Sequence, residues 1–445
     1  MSEGNKGSID YAGQKIPGLF RKIFIPTVLG MLANVAFTIT DGIFIGHGVG
    51  PEGMASVNLV APTMLFILGI AMMFGMGSSV VAAIHMSKGE NDAARSKVTL
   101  SVFSAITISL LAVVLLYCFP TGVMRMLGVS QEMMPLAGQY FFWFVPTCFF
   151  IMIQMVGSFV IRLDGSPKYS MAVTAVPSVL NIILDYTFIF PCGMGLKGAA
   201  LATDIGTFTG ALMVFHYMLR KARTLKFCRL STAFRGGFSA LGEIVKVGLP
   251  GFVMQLSAPM LILCGNRSFG AHLGDSGVAA FSVICYVFPL IANIFFAAAT
   301  SAQPIISYNH GAGNRERVSA ALRCSIIVSI AFAVLALAVF TFCAPIVISV
   351  FLKSGSETYA LSSAGLPLFA TGLLFMAFNT PVVGYFQSVE QSGKSILLTI
   401  LRSFILIALA FAFLPVWLGA PGLWFAMPAA EFITVFAAIF CLRKR

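Results

Sequence analysis

Twelve apolar runs decide which architectures are open to this chain. They lie at approximately 22–45, 56–84, 98–119, 135–160, 169–190, 198–219, 243–268, 279–303, 320–343, 362–387, 395–414 and 422–442, numbered here as spans 1 to 12. A helix needs about 20 apolar residues to cross the hydrocarbon of a bilayer, and each run meets or exceeds that. A soluble chain would carry charge on about a quarter of its residues; here 58% are apolar and 10% charged, too few to cover a water-facing surface. The expected fold class is an all-α polytopic membrane protein with 12 transmembrane helices. The first eighteen residues are polar and lack an apolar core, so span 1, rather than a cleaved signal, is expected to direct insertion.

The net charge of +12 invites a nucleic-acid reading, but its distribution points elsewhere. Twenty-four of the 28 Lys and Arg fall on one side of the alternating spans, in the N-terminal segment, the even-to-odd loops, the basic central connection and the C-terminus. The other side holds Arg125, Lys197, Arg267 and Lys353. Cytoplasmic loops carry such an excess. Both termini are therefore expected in the cytoplasm of a plasma (inner) membrane, with no nucleic-acid partner. Nine scattered Cys, none in C-x-x-C spacing, read as small buried hydrophobes.

The chain repeats itself. At an offset of 224, Lys22-Ile-Phe-Ile-Pro26 matches Lys246-Val-Gly-Leu-Pro250, Gly50 matches Gly274, Lys88–Asp92 matches Ala312–Glu316, and Pro191 and Gly198 match Pro415 and Gly422. Arg162–Lys168 matches Ser388–Lys394 at 226. Two six-helix bundles follow, 1–230 and 231–445. Because six is even, they are parallel repeats, an arrangement that places a substrate cavity between halves able to rock.

Four acids fall inside spans: Asp41, Asp185, Asp204 and Glu431. Charge inside a membrane is expensive and marks function by default. Counted along the spans, Asp41, Asp185 and Asp204 each lie roughly 8–10 Å below the outer interface. Like carboxylates sharing such a site cannot all stay charged cheaply, so a proton or cation has to neutralise them. Asn181 lies one turn before Asp185 on the same face, and Thr203 adjoins Asp204. A hard cation is bound through such oxygens, so Na⁺ at Asp41, Asn181, Asp185 and Thr203 is one form of the site. Gln255 and Asn379 stand where the second half would need acids, which confines the expected coupling chemistry to the first half.

Phe37, Met64, Phe66, Met72, Gln255, Tyr286 and Phe288 are candidate lining residues for a cavity that takes flat hydrophobic cations. Pro26 is a candidate hinge, since a proline removes a helix donor. Trp417 and Trp424 flank the outer end, where aromatic belts occur. Gly311-Ala-Gly-Asn314 lacks the ending of a phosphate loop. The five His have no metal-ligand spacing, and no catalytic triad stands out. The chain reads as no enzyme, with no cofactor beyond a coupling H⁺ or Na⁺.

Asp41-Gly-Ile-Phe-Ile-Gly46, Asp164-Gly-Ser-Pro-Lys168 leading to Asn181-Ile-Ile-Leu-Asp185, Gly195–Thr203, and Gln303-Pro304 through Gly311–Asn314 occur in that order. With these stretches the chain resembles the multidrug and toxic compound extrusion family of secondary transporters over nearly its whole length. The resemblance implies a V-shaped pair of six-helix lobes, alternating access and export of organic, often cationic compounds against cation entry. It also implies a first-lobe cation or proton site that maps onto Asp41, Asn181, Asp185 and Thr203. A monomer is expected. The alternative is a lipid-linked precursor flippase of the same superfamily, which would require a cationic cavity; Arg267 and Arg402 are the basic residues in or near spans that could serve it.

Overall fold

The computed structural model describes residues 9–234, 237–353 and 355–443. Of the basic residues counted above, Lys6, Arg235, Lys444 and Arg445 lie outside them. The first half is built from α1 (Ile16–Gly48), α2 (Pro51–Ser87), α3 (Asn91–Cys118), the short α4 (Pro120–Met126), α5 (Met134–Leu163), α6 (Pro167–Ile189) and α7 (Gly195–His216), which continues through a π turn, Tyr217–Lys221. After the short α8 (Leu230–Ala233) come α9 (Gly237–Gln255), α10 (Ser257–Gly311), α11 (Arg315–Phe342), the short α12 (Ala344–Ser349), α13 (Glu357–Ala370), α14 (Gly372–Ser388) and α15 (Ser392–Ile400). A π segment, Leu401–Leu406, joins α15 to α16 (Ile407–Leu418), and α17 (Ala420–Arg443) ends the chain. No strand occurs among the described residues.

These helices give twelve crossings. α1, α2, α3, α5, α6 and α7 supply six. The segment 237–311 is 75 residues long, about 110 Å at the helical rise, against a hydrocarbon core of about 30 Å. Gly274, at φ 61° and ψ −153°, breaks it into two. α11, the bent pair α13–α14 (42°), α15–α16 and α17 complete the second six. Each apolar run of the sequence falls within one of these crossings to within a residue.

The repeat is visible in the backbone of the turns. Gly50 and Gly274 both have positive φ (99° and 61°), as do Gly89 and Gly313 (78° and 73°) and Gly195 and Gly419 (55° and 64°). Each pair is separated by 224. A side chain resists this left-handed conformation, and glycine does not. Where the turn between α5 and α6 has Gly165 at φ 85°, the turn between α14 and α15 has Glu390, a non-glycine residue, at φ 59°.

Packing divides the described chain into two compact units, 9–255 with 307–313, and 256–306 with 314–443. The halves expected from the repeat, 1–230 and 231–445, differ from these units at α9 and at 307–313; α9 packs in the first unit against α2. A Cβ on Gly248 of α9 would stand 1.8 Å from the Met73 carbonyl oxygen of α2. A Cβ on Gly77 would stand 2.1 Å from the Ile244 carbonyl oxygen. Backbones meet there because both residues lack side chains. The first core gathers Phe74, Phe141, Phe144 and Ile244; the second gathers Phe269, Phe281, Phe411 and Trp424. Trp424 is not a belt residue. It is 3% exposed, lies 4.7 Å from the Phe269 ring and fills the space that Gly365 leaves open. Trp417, by contrast, is exposed.

The basic central connection is tied down by one acid at the end of α5. Asp164 is buried and accepts hydrogen bonds from Tyr217 Oη (2.8 Å) and from the backbone N–H groups of Arg223 (2.7 Å), Thr224 (2.8 Å) and Leu225 (2.8 Å). Arg95 Nε donates to the Thr224 carbonyl at 2.7 Å, and Lys97 pairs with Glu243. Asp164→Ala would leave these donors without their acceptor. Hydrogen bonds to charged groups contribute about 1.5–3 kcal/mol each, so a loss of about 3 kcal/mol is expected, read as a lower melting temperature in detergent.

Candidate functional site

α6 buries a stripe at helical spacing: Ser170, Val173, Pro177, Asn181, Asp185 and Ile189. Asn181 and Asp185 occupy positions in this stripe that an apolar residue would ordinarily fill, and are 2% and 0% exposed. α7 approaches through small residues, Ala199, Ala202, Thr203 and Gly206. A Cβ on Gly206 would lie 3.1 Å from the Pro177 carbonyl and 3.4 Å from Asn181 Cβ. That closeness sets Asn181 against Thr203: Asn181 Nδ2 donates to Thr203 Oγ1 at 3.2 Å, and Thr203 Oγ1 donates to the Ala199 carbonyl at 3.1 Å. α1 completes the site. Near its outer end Gly48 lies directly on Ile189 of α6, and one to two turns earlier the carboxyl group of Asp41 comes within hydrogen-bonding reach of that of Asp185.

Asp41 Oδ1, both carboxyl oxygens of Asp185 and Asn181 Oδ1 are buried with no hydrogen-bond donor among the described residues. No ion pair among those residues involves Asp41 or Asp185. Acceptor faces acceptor, a costly arrangement in a low-dielectric interior unless a proton or cation joins them. The oxygen-only donor set suits either: one shared proton, or a hard monovalent cation.

Asp204 takes a different partner. It points to α5, where Thr147 Oγ1 donates to its Oδ1. Among the described residues no three His, Cys, Asp or Glu side chains gather as a metal cluster, so the three carboxylates do not form one ligand set. The same helix α5 carries a buried polar face. Tyr140, Thr147 and Gln154 follow one another at seven-residue spacing along a buried face of α5, and Gln154 Nε2 donates to the Val173 carbonyl of α6 at 2.8 Å. The sequence reading missed this polar stripe, whose signal was the spacing itself.

The candidate cavity residues fall in both units. Phe66 of α2 meets Phe252 edge to face at 5.5 Å. Met72 is buried in α2 and Met64 packs against the first core. Phe37 on α1 and Gln255 at the end of α9 are half-buried. In the second unit Tyr286 is exposed and stacks on Phe351 at 6.1 Å, while Phe288 packs on Phe369 at 5.7 Å. Pro26 is buried in α1, which passes through it as continuous helix. Glu431, isolated in the sequence, has partners: Asn379 Nδ2 donates to its Oε2 at 2.7 Å, and Arg402 Nη2 lies 2.9 Å from its Oε1.

Comparison with known proteins agrees with this frame. The MatE family matches residues 26–187 and 260–414. The multidrug export protein MepA of Staphylococcus aureus (strain MSSA476) is 25% identical over 428 residues, 95% of this chain and 93% of that protein. MepA of Staphylococcus saprophyticus is 24% identical over 429 residues, again 95% and 93%. Among solved structures, an outward-facing multidrug resistance MATE family transporter of the MOP superfamily superposes with a TM-score of 0.93 at 23% identity, covering 100% of this chain and 98% of that one. A MOP superfamily transporter from Pyrococcus furiosus, whose reversed pocket polarity suggests a different function, gives 0.92 at 22%, with the same coverage. The two matched stretches take in most of the chain and include Asp41, Asn181 and Asp185; this protein is a member of the MatE family, the multidrug and toxic compound extrusion transporters.

Proposed function

We propose that this integral membrane protein exports organic, often cationic and hydrophobic compounds in exchange for H⁺ or Na⁺, by alternating access. It works as a monomer in the plasma (inner) membrane with both termini in the cytoplasm. The observation that carries the reading is the facing pair Asp41–Asp185, in which Asp41 Oδ1 and both Asp185 oxygens are buried without a donor among the described residues, beside Asn181 and Thr203. In the outward-facing state the pair takes up a cation from outside. Neutralising it removes both repulsion and a desolvation cost, which lets α1 bend near Pro26, and the difference in cation affinity between the two states then moves the equilibrium. The multidrug export named for the MepA relatives supports the substrate class. The flippase alternative requires free positive charge in a cavity; Arg402 is held by Glu431, which weighs against it.

The test is dye or drug efflux in everted vesicles with a proton gradient and a Na⁺ gradient imposed separately. Wild type should respond to at least one gradient, and Asp41→Asn to neither. Efflux by Asp41→Asn at the wild-type rate would overturn the assignment.

A further inference from the structure

The second unit carries its own buried charge, arranged in the opposite sense to the first. Arg402 lies in the π segment Leu401–Leu406, a helix irregularity often associated with functional sites. It sits about ten residues into the crossing Ser392–Leu418, or about 15 Å along it. Glu431 lies about eleven residues into α17, at a similar depth. Both are therefore near the middle of the hydrocarbon, and their side chains are 10% and 7% exposed. Arg402 Nη2 approaches Glu431 Oε1 at 2.9 Å, and Nη1 donates to Thr380 Oγ1 at 3.2 Å. Asn379 Nδ2 serves the other carboxyl oxygen at 2.7 Å and the Glu431 carbonyl at 2.9 Å. Both oxygens of Glu431 are thus satisfied, whereas both oxygens of Asp185 lack a donor among the described residues.

α17 packs against α13, α14, α15, α16 and the π segment, and its Trp424 meets Phe269 of α10, whose nearby charged residues Arg267 and Asp275 are exposed. Among the described residues on these elements, Arg402 is the charged group that faces Glu431. Glu357, at the start of α13, accepts from Ser276. Tyr359 donates to the Pro345 carbonyl. Tyr385 of α14 packs on Phe386. Lys394 of α15 reaches the Cys441 carbonyl near the far end of α17, where Arg443 also lies.

We propose that Arg402 is a built-in counter-ion: in the second half it fills the role that an exchanged cation fills in the first, so that cations are exchanged through Asp41–Asp185 alone. The proposal rests on the cation-exchange reading above. A guanidinium carries a permanent positive charge, so Arg402, 2.9 Å from Glu431 Oε1, supplies on the chain itself the charge that a bound cation would otherwise bring to that carboxylate. Arg402 is thereby a residue that sets how many cations move per substrate, and it acts through Glu431 rather than on substrate.

The experiment counts cations bound per purified, detergent-solubilised chain, using ²²Na⁺ for Na⁺ and a pH indicator for H⁺. Arg402→Gln strips Glu431 of its fixed partner and should bind one more cation per chain than wild type. The neutral double variant Arg402→Gln/Glu431→Gln should bind the wild-type number. A folded Arg402→Gln that binds no additional cation overturns the proposal. So does a double variant that binds one fewer than wild type, since Glu431 would then itself be an exchanging site; this arm keeps the test decisive if Arg402→Gln alone does not fold. Asp41→Asn, run alongside, should lose the first-half cation. If it does not, the exchange reading fails, while the comparison of the Arg402 variants is still read on its own.

Discussion

Asp185→Asn is expected to cut gradient-driven export by about 100-fold or more while leaving the protein folded and somewhat more heat-resistant. The two effects have one origin. Asp185 contributes two buried oxygens that have no donor among the described residues, and it faces Asp41, whose Oδ1 has none there either. A carboxamide of the same size can donate to Asp41, and a hydrogen bond to a charged group contributes about 1.5–3 kcal/mol. The amide accepts no proton and brings no charge to a cation. Moving a two-state equilibrium from 1:99 to 99:1 requires about a 10⁴-fold difference in affinity between the states, and the variant loses the group that supplies it. Efflux in proteoliposomes and thermal unfolding in detergent, measured on the same preparation, check both parts. Wild-type efflux, or a melting temperature lowered by several degrees, would count against the assignment.

Gly248→Ala is expected to be the most damaging single-methyl change in the first unit. The added carbon would meet the Met73 carbonyl oxygen at 1.8 Å, with the carbonyl carbon at 2.7 Å and Met73 Cα at 3.1 Å. All three are backbone atoms of α2, so no rotamer change relieves the clash; α2 and α9 must separate. Overpacking of a tight interior costs about 1–3 kcal/mol and occasionally more, and with only backbone to yield a loss of about 3 kcal/mol is expected. Gly18→Ala, where nothing lies within 4 Å, is the control. Unfolding midpoints of the two variants in detergent decide it, and equal midpoints would contradict the close crossing.

The twelve crossings were legible because their cause is local: a long apolar run, bounded by charge, needs no tertiary information to be recognised. The facing carboxylates were legible in part for a related reason, since an acid within such a run stands out. What remained hidden depended on long-range pairing. Arg402 was counted with the cytoplasmic charges because a single arginine ten residues into a crossing resembles a displaced flank. Glu431 looked isolated because its partners are 29 and 52 residues away in sequence. Asp204 was grouped with Asp41 and Asp185 by depth. Depth leaves rotation about the helix axis undetermined, and rotation is what turns Asp204 toward Thr147. Trp424 shows the same limit: its position near a helix end suggested the interface, but the space above Gly365 draws it inward.

The matched left-handed glycines at Gly50 and Gly274, Gly89 and Gly313, and Gly195 and Gly419 bear on how a duplicated ancestor can specialise. Where reversals of direction are fixed by residues without side chains, the intervening helices keep their course whatever chemistry they acquire. One copy can then retain a pair of acids that must borrow positive charge, while its twin carries an arginine of its own. Division of labour of this kind requires no change of scaffold.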